Sequence, residues 1–208
     1  HKQSIKKVSK MKNKVLFGLA TLAIVAMLSS CGKVPQAEID ATNAAIAAAQ
    51  AAEANVYLPA EFTALQDSMN AITAAVEVQK GKLFKKFGTV KEQLATTLAQ
   101  ANQVAANVAA KKEEVKKEAD TILNGIKSVV AENAKLVVKL PRGKEGAAVI
   151  EAIKADMATV DGSVAEAQGM FDKGAFMDAL NKAKAAQEKA TAINTEIKEV
   201  LTKARIRF

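Results

Sequence analysis

The residue with most chemical potential in this chain of 208 is its single thiol. Cys31 stands in AMLSSCGK, residues 26–33, where a long apolar run stops. A lone thiol can be a leftover, a partner for another chain's thiol, or the acceptor of a modifying group; a bridge within the chain is excluded. Other reactive constellations are missing. The only histidine is His1, so Ser-His-Asp, Cys-His and imidazole metal sites have no imidazole to draw on in the body of the chain. No glycine-rich phosphate loop occurs. The carboxylates sit beside lysines on helix faces, where solvated charge accounts for them. Met69, Met157, Met170 and Met177 lie on or near apolar stripes and read as core. The expectation is a non-enzyme with no catalytic residue, no metal and no cofactor.

The context of Cys31 narrows its role. Val15 to Leu28, VLFGLATLAIVAML, is an apolar run of 14 residues preceded by Met11-Lys12-Asn13-Lys14. A positive start, an apolar stretch of that length and small residues after it describe a secretory signal peptide over 11–30. A membrane span needs about 20 apolar residues, so the run is short for one. Leu28-Ser29-Ser30-Cys31 resembles the bacterial lipobox. That resemblance implies a diacylglycerol on the Cys31 thiol, cleavage before it, and membrane attachment through the lipid; an uncleaved anchor with a buried Cys is the other reading. Gly32 stands where enteric lipoproteins retained at the inner membrane carry Asp, which favours the outer membrane, facing the periplasm. Residues 1–10, HKQSIKKVSK, precede a usable initiator at Met11 and are set aside as an upstream artefact.

Setting the leader apart changes the electrostatics. The chain holds 30 basic and 22 acidic residues, a formal charge of +8. Six lysines (2, 6, 7, 10, 12 and 14) and no acid lie in residues 1–30, leaving 24 basic against 22 acidic. A body so close to neutral gives no support to a nucleic-acid partner. The whole chain has no Trp, one Tyr and seven Phe, so the core must come from Ala, Val, Leu, Ile and Met, which suits close-packed helices.

Periodicity supplies the fold class. Leu94, Ala101, Val108, Val115, Ile122, Val129 and Leu136 recur every seven residues. Leu98, Ala105, Ala119, Ile126 and Leu140 fill the companion slot, with Lys112 and Asn133 as exceptions. Such a repeat describes a helix packed as in a coiled coil, supercoiled to the left. Thr89-Val90-Lys91-Glu92 reads as the capping box that starts it. The register runs through Gly125, so continuity is expected there. Phe62, Leu65, Met69, Ile72, Val76 and Leu83, with Gln79 as a polar slot, mark another helix, and two more follow from Ile150 and Phe176. Ile39 and Ile46 amid alanines mark the first. Pro59 suits a helix start and Gly174 a helix end.

These readings give an all-α fold, an elongated antiparallel bundle of five helices over 35–55, 59–86, 90–138, 147–173 and 175–205. The expected organisation is a tether at 31–34, an N-terminal three-helix part at 35–112 and a C-terminal one at 113–208, sharing the long central helix. The charged stretch Lys111 to Glu118, KKEEVKKE, is the waist between them.

AAIAAAQAAEANVYLPAEFTALQDSM, Ala44 to Met69, resembles an alanine-rich helical family of bacterial envelope lipoproteins of unassigned function, with Tyr57, Pro59 and Glu61 matching its Tyr-x-Pro-x-Glu turn. The likeness covers about residues 35–108. It implies an all-helical envelope protein and carries no catalytic residues.

Geometry then suggests two surfaces. A first helix of ~30 Å and a second of ~40 Å return the chain toward the anchored end. Lys82, Phe84, Lys85, Lys86 and Phe87 would lie there, with lysines near phosphates and rings at the interface, or with the rings closing the bundle end. The third helix climbs about 70 Å, so Arg142, Lys144, Arg205 and Arg207 gather at a distal basic tip. The tip suits an acidic envelope protein or peptidoglycan carboxylates, or serves as a solubilising end. The function expected is a lipid-anchored spacer or adaptor. A small-ligand binding or sensing bundle and a self-associating coiled coil are the alternatives, and the oligomeric state stays open.

Overall fold

The computed structural model describes residues 32–208; Cys31, the apolar run and residues 1–10 lie outside the described residues. Six helices follow in order: α1 (Gln36–Ala51), α2 (Ala54–Tyr57), α3 (Pro59–Lys80), α4 (Gly88–Val137), α5 (Lys144–Asp172) and α6 (Phe176–Lys203). Among the described residues there is no strand, and the all-helical expectation holds.

Two expected helices change shape. The first does not run to residue 55: it stops at Ala51, Glu53 takes a left-handed conformation (φ 72°, ψ 28°), and the short α2 follows. The buried line of α1 is Thr42, Ala45 and Ala49, and the break brings Ala54 and Tyr57 inward after it. The small residues, rather than Ile39 and Ile46, are therefore the most enclosed part of α1, as a close helix approach requires. The second expected helix ends at Lys80, not 86, and Leu83 leaves the apolar stripe altogether. Pro59 opens α3 as expected, its missing N–H falling where helices have none to bond.

The chain divides into two compact units. Unit 1 comprises residues 32–48 and 64–103. There α1 and α4 run parallel: Lys91 lies 3.8 Å from Glu38, and the buried Thr42 hydroxyl reaches the Leu94 carbonyl at 3.4 Å. The returning α3 brings Met69, Ile72 and Val76 against Phe87, Val90 and Leu94. Helix α4 starts at Gly88, one residue before the proposed box, so Thr89 lies in the first turn and the Lys91 N–H donates to the Phe87 carbonyl at 2.9 Å.

Unit 2 comprises residues 49–63 and 104–208. Ion pairs give its helix directions. Lys184 meets Glu118 at 2.7 Å and Lys198 meets Glu132 at 2.8 Å, a constant offset that makes α6 parallel to α4. Lys182 with Glu166, and Lys189 with Asp156 at 2.9 Å, make α6 antiparallel to α5. Between them lie Leu123, Ile126, Ile153, Val160, Ile193 and Ile197. Gly174, with φ 82°, ends α5 as expected: its N–H bonds the Phe171 carbonyl at 2.9 Å and that of Ala175 bonds Met170 at 3.0 Å.

Burial along α4 in unit 2 departs from the strict heptad. Val108, Val115 and Leu136 are enclosed, but Ile122 and Val129 between them are half-buried, and Leu123 is enclosed beside Ile122. The companion positions Ala119, Ile126, Asn133 and Leu140 are all buried at seven-residue spacing. A straight helix drifts by about 20° per heptad, so a neighbouring residue can take over one slot.

The two polar interruptions are both occupied by contacts. Asn133 is 1% exposed; its amide donates to the Ala190 carbonyl at 3.0 Å, and its oxygen accepts from Asn194 at 2.8 Å. Replacing Asn133 by Ala should lower unfolding free energy by about 2 kcal/mol, the net worth of two hydrogen bonds, measured by urea titration. Gly125 is inside unbroken α4, and an added methyl would meet only the Gln187 side chain, at an ordinary 3.7 Å. Gly125→Ala should therefore raise stability by about 1 kcal/mol in the same assay.

Candidate functional site

No imidazole or thiol lies among the described residues, and no group of three metal-ligating side chains occurs there. The surfaces that remain are one end of each unit and a cluster on α4.

The loop between α3 and α4 closes one end of unit 1. Gln79, the polar slot in the α3 stripe, accepts a hydrogen bond from the Lys86 backbone N–H at 3.2 Å through its side-chain oxygen. The Lys82 N–H bonds the Gln79 carbonyl at 3.1 Å. This pins both ends of the loop to the last turn of α3. The two expected aromatics then part company: Phe87 is 2% exposed and belongs to the core, whereas Phe84 is 80% exposed. Leu83, at 90%, is beside it, and Lys82, Lys85 and Lys86 are exposed around the pair. Val34 packs against the same core that holds Phe87, so the start of the described chain and this loop share one end of unit 1.

The basic residues of the expected tip are all in unit 2. Leu140, Leu201 and Ile206 belong to or pack on one core, which brings Arg142, two residues past Leu140, to the same end as Arg205 and Arg207. All three arginines are exposed, and Lys144 opens α5. Arg205 is left-handed (φ 59°), the N–H of Ile206 bonds the Leu201 carbonyl at 2.9 Å, and Ile206 folds back onto the core, leaving Arg205 and Arg207 exposed. Nearby is a recess of about 210 Å³ lined by Leu140, Pro141, Gly146, Val149, Ile150 and Val200. A side chain at Gly146 would run into the Pro141 carbonyl, so the 140–146 turn depends on that glycine. The gap among Val130, Asn133, Met157, Val160 and Ile193, by contrast, has no room for a water molecule.

A third cluster had been visible in the sequence only as a break in the heptad. Lys112 is bonded to the carboxylate of Glu53, the left-handed residue before α2, and its ammonium lies 5.4 Å from the centre of the buried Tyr57 ring. One turn on, Lys116 lies 5.6 Å from the Phe176 ring, which meets Phe171 edge-on at 5.2 Å. Cations over rings are favourable contacts when partly shielded. The KKEEVKKE stretch expected at the waist thus lies inside unit 2, with two of its lysines covering aromatic faces.

The bond from Glu53 is the main reason that the Lys112 ammonium is held above its ordinary range, against partial desolvation. Elsewhere, the bond from Lys198 lowers the Glu132 carboxyl, and Asn194 adds to it. None of these contacts forms a nucleophile–base pair; they lock helix to helix.

No protein-family model, curated protein or solved structure matches the chain.

The raised Lys112 value has a definite sign. Its pairing stabilises the fold in full at pH values below the unfolded lysine range, about 10.4, and is lost as pH climbs through the higher folded value. Urea titrations of wild type and Lys112→Met should differ by a constant amount from neutral pH to pH ~9, and the gap should close above pH ~10.4.

Proposed function

We propose that the chain is a lipid-anchored, non-catalytic spacer or adaptor of the bacterial cell envelope, attached through a diacylglycerol on Cys31 and facing the periplasm from the outer membrane. The signal-like leader and the Leu28–Cys31 motif motivate the anchor. The observation that supports it most is the shortness of the tether. Val34 packs on the unit 1 core, Pro35 is buried and α1 begins at Gln36, leaving only Gly32 and Lys33 between the anchored residue and folded protein. Two extended residues reach about 7 Å, so an acyl chain on Cys31 would seat unit 1 directly on the headgroups.

The finer architecture that goes with this reading is an antiparallel bundle of two three-helix halves sharing α4, with α1 and α2 as one arm. The basic end formed by Arg142, Lys144, Arg205 and Arg207 would take the acidic partner, an envelope protein or the carboxylates of peptidoglycan. A second reading, capture of a small apolar ligand, is favoured by the 210 Å³ recess, and native mass spectrometry of purified protein would show the bound mass.

The anchor is tested by Cys31→Ser. Wild type should incorporate labelled palmitate, migrate as the cleaved form and fractionate with envelopes; the variant should do none of these. Equal envelope recovery of an unlabelled wild type would end the proposal.

A further inference from the structure

Of the large apolar side chains exposed in unit 1, all three among the described residues fall within seven positions: Val78, Leu83 and Phe84. Leu83 and Phe84 are also the two most exposed large apolar side chains among the described residues of the whole chain. Isolated exposed apolar residues are ordinary on protein surfaces, but an adjacent pair at a loop tip is a cluster. The loop is not a loose excursion. It is tied down by Gln79 on one side and by the buried Phe87 on the other, so Leu83 and Phe84 are held outward with no neighbour to cover them.

Charge around the pair is of one sign. No acidic residue occurs between Glu77 and Glu92, while Lys80, Lys82, Lys85, Lys86 and Lys91 do. Lys80 is satisfied by Glu77 at 2.7 Å and Lys91 approaches Glu38 at 3.8 Å, leaving Lys82, Lys85 and Lys86 as the surplus around the tip. An apolar tip in a cationic collar matches an anionic bilayer surface: rings and branched chains enter the boundary between headgroups and acyl chains, and lysines near the surface are drawn to the lipid phosphates. A soluble acidic partner would satisfy the collar and leave the tip in water. Position adds an independent argument, since Val34, three residues past Cys31, packs on the core that holds Phe87.

We infer that the 82–86 loop is a second membrane contact, with Leu83 and Phe84 inserted at the headgroup boundary and Lys82, Lys85 and Lys86 on lipid phosphates, beside the anchored Cys31. One point of attachment leaves unit 1 free to swivel; two give it a defined seat on the membrane. This inference rests on the anchor reading, and its test separates the two.

The chain contains no tryptophan, so Phe84→Trp places a unique fluorophore at the tip. The full chain carrying it is reconstituted into phosphatidylcholine vesicles with and without phosphatidylglycerol, some with brominated acyl chains. The expected result is blue-shifted emission, quenched by bromine, on the anionic vesicles. Lys82→Gln, Lys85→Gln and Lys86→Gln together should remove the shift, with helicity by circular dichroism unchanged. Gln103→Trp, at an exposed position of unit 1 on α4 fifteen residues past Gly88, should stay unquenched. Water-like emission from the tip on anionic vesicles overturns the inference, even where Cys31 still takes palmitate. Equal quenching on neutral vesicles overturns its anionic component, and quenching at position 103 as well overturns it in favour of adhesion along the whole surface of unit 1. Loss of the palmitate label bears on the anchor alone, because the fluorophore reports on the tip however the chain is held.

Discussion

Everything in this structure depends on one narrow apolar line along α4 finding partners over its full 50 residues. A single helix of that length, bearing so many lysines and glutamates, gains little from its own hydrogen bonds; its stability comes from tertiary contact along the amphipathic face. In unit 1 that face meets the small-residue side of α1 and the returning α3. In unit 2 it meets α5 and α6, where alanines at 183, 186 and 190 let the backbone of α6 approach closely. With so few aromatics available, close approach of helices replaces bulk as the source of packing.

Apolar lines of Ala, Val, Leu and Ile are poorly discriminating, since one register resembles the next. The polar exceptions supply the discrimination. Asn133 can be buried only where a carbonyl and an amide stand opposite, which Ala190 and Asn194 of α6 provide. Lys112 can lie at the edge of the core only where Glu53 and the Tyr57 face receive it. Gln79 likewise fixes the end of α3 by capturing the backbone N–H seven residues on. Each is a costly residue to misplace, because an unmet polar group loses its water without a replacement. The ion pairs of α6 with α4 are half-exposed and add little individually, yet both have the same offset and so agree with the same register.

The functional reading follows from what this packing leaves over. Unit 1 buries Phe87 and holds out Leu83 and Phe84; unit 2 packs the half-buried Ile206 against its core and leaves exposed the arginines on either side of it in sequence. In both places a single apolar residue drawn toward the core orients its neighbours, and in unit 1 the exposed pair is held by attachment at both ends of a short segment.

The all-helical class, the main helices, the start at Pro59, the turn at Gly174 and the continuity through Gly125 were legible in the sequence, because period, proline and glycine act within a few residues of chain. The leader and Cys31 were legible only as a pattern and lie outside the described residues. What tertiary structure decided was everything that needs a distant partner. The periodic stripe assigned Leu83 to a helix that stops three residues earlier, since no local signal shows that Gln79 will turn to bond Lys86. The stripe also extended α1 through Glu53, whose left-handed turn is matched by a lysine 59 positions away. Of two phenylalanines three residues apart, one became core and the other surface, and only the position of α3 beside α4 determines which. Local periodicity states which side of a helix is apolar; the geometry of its neighbours selects which of those residues are covered.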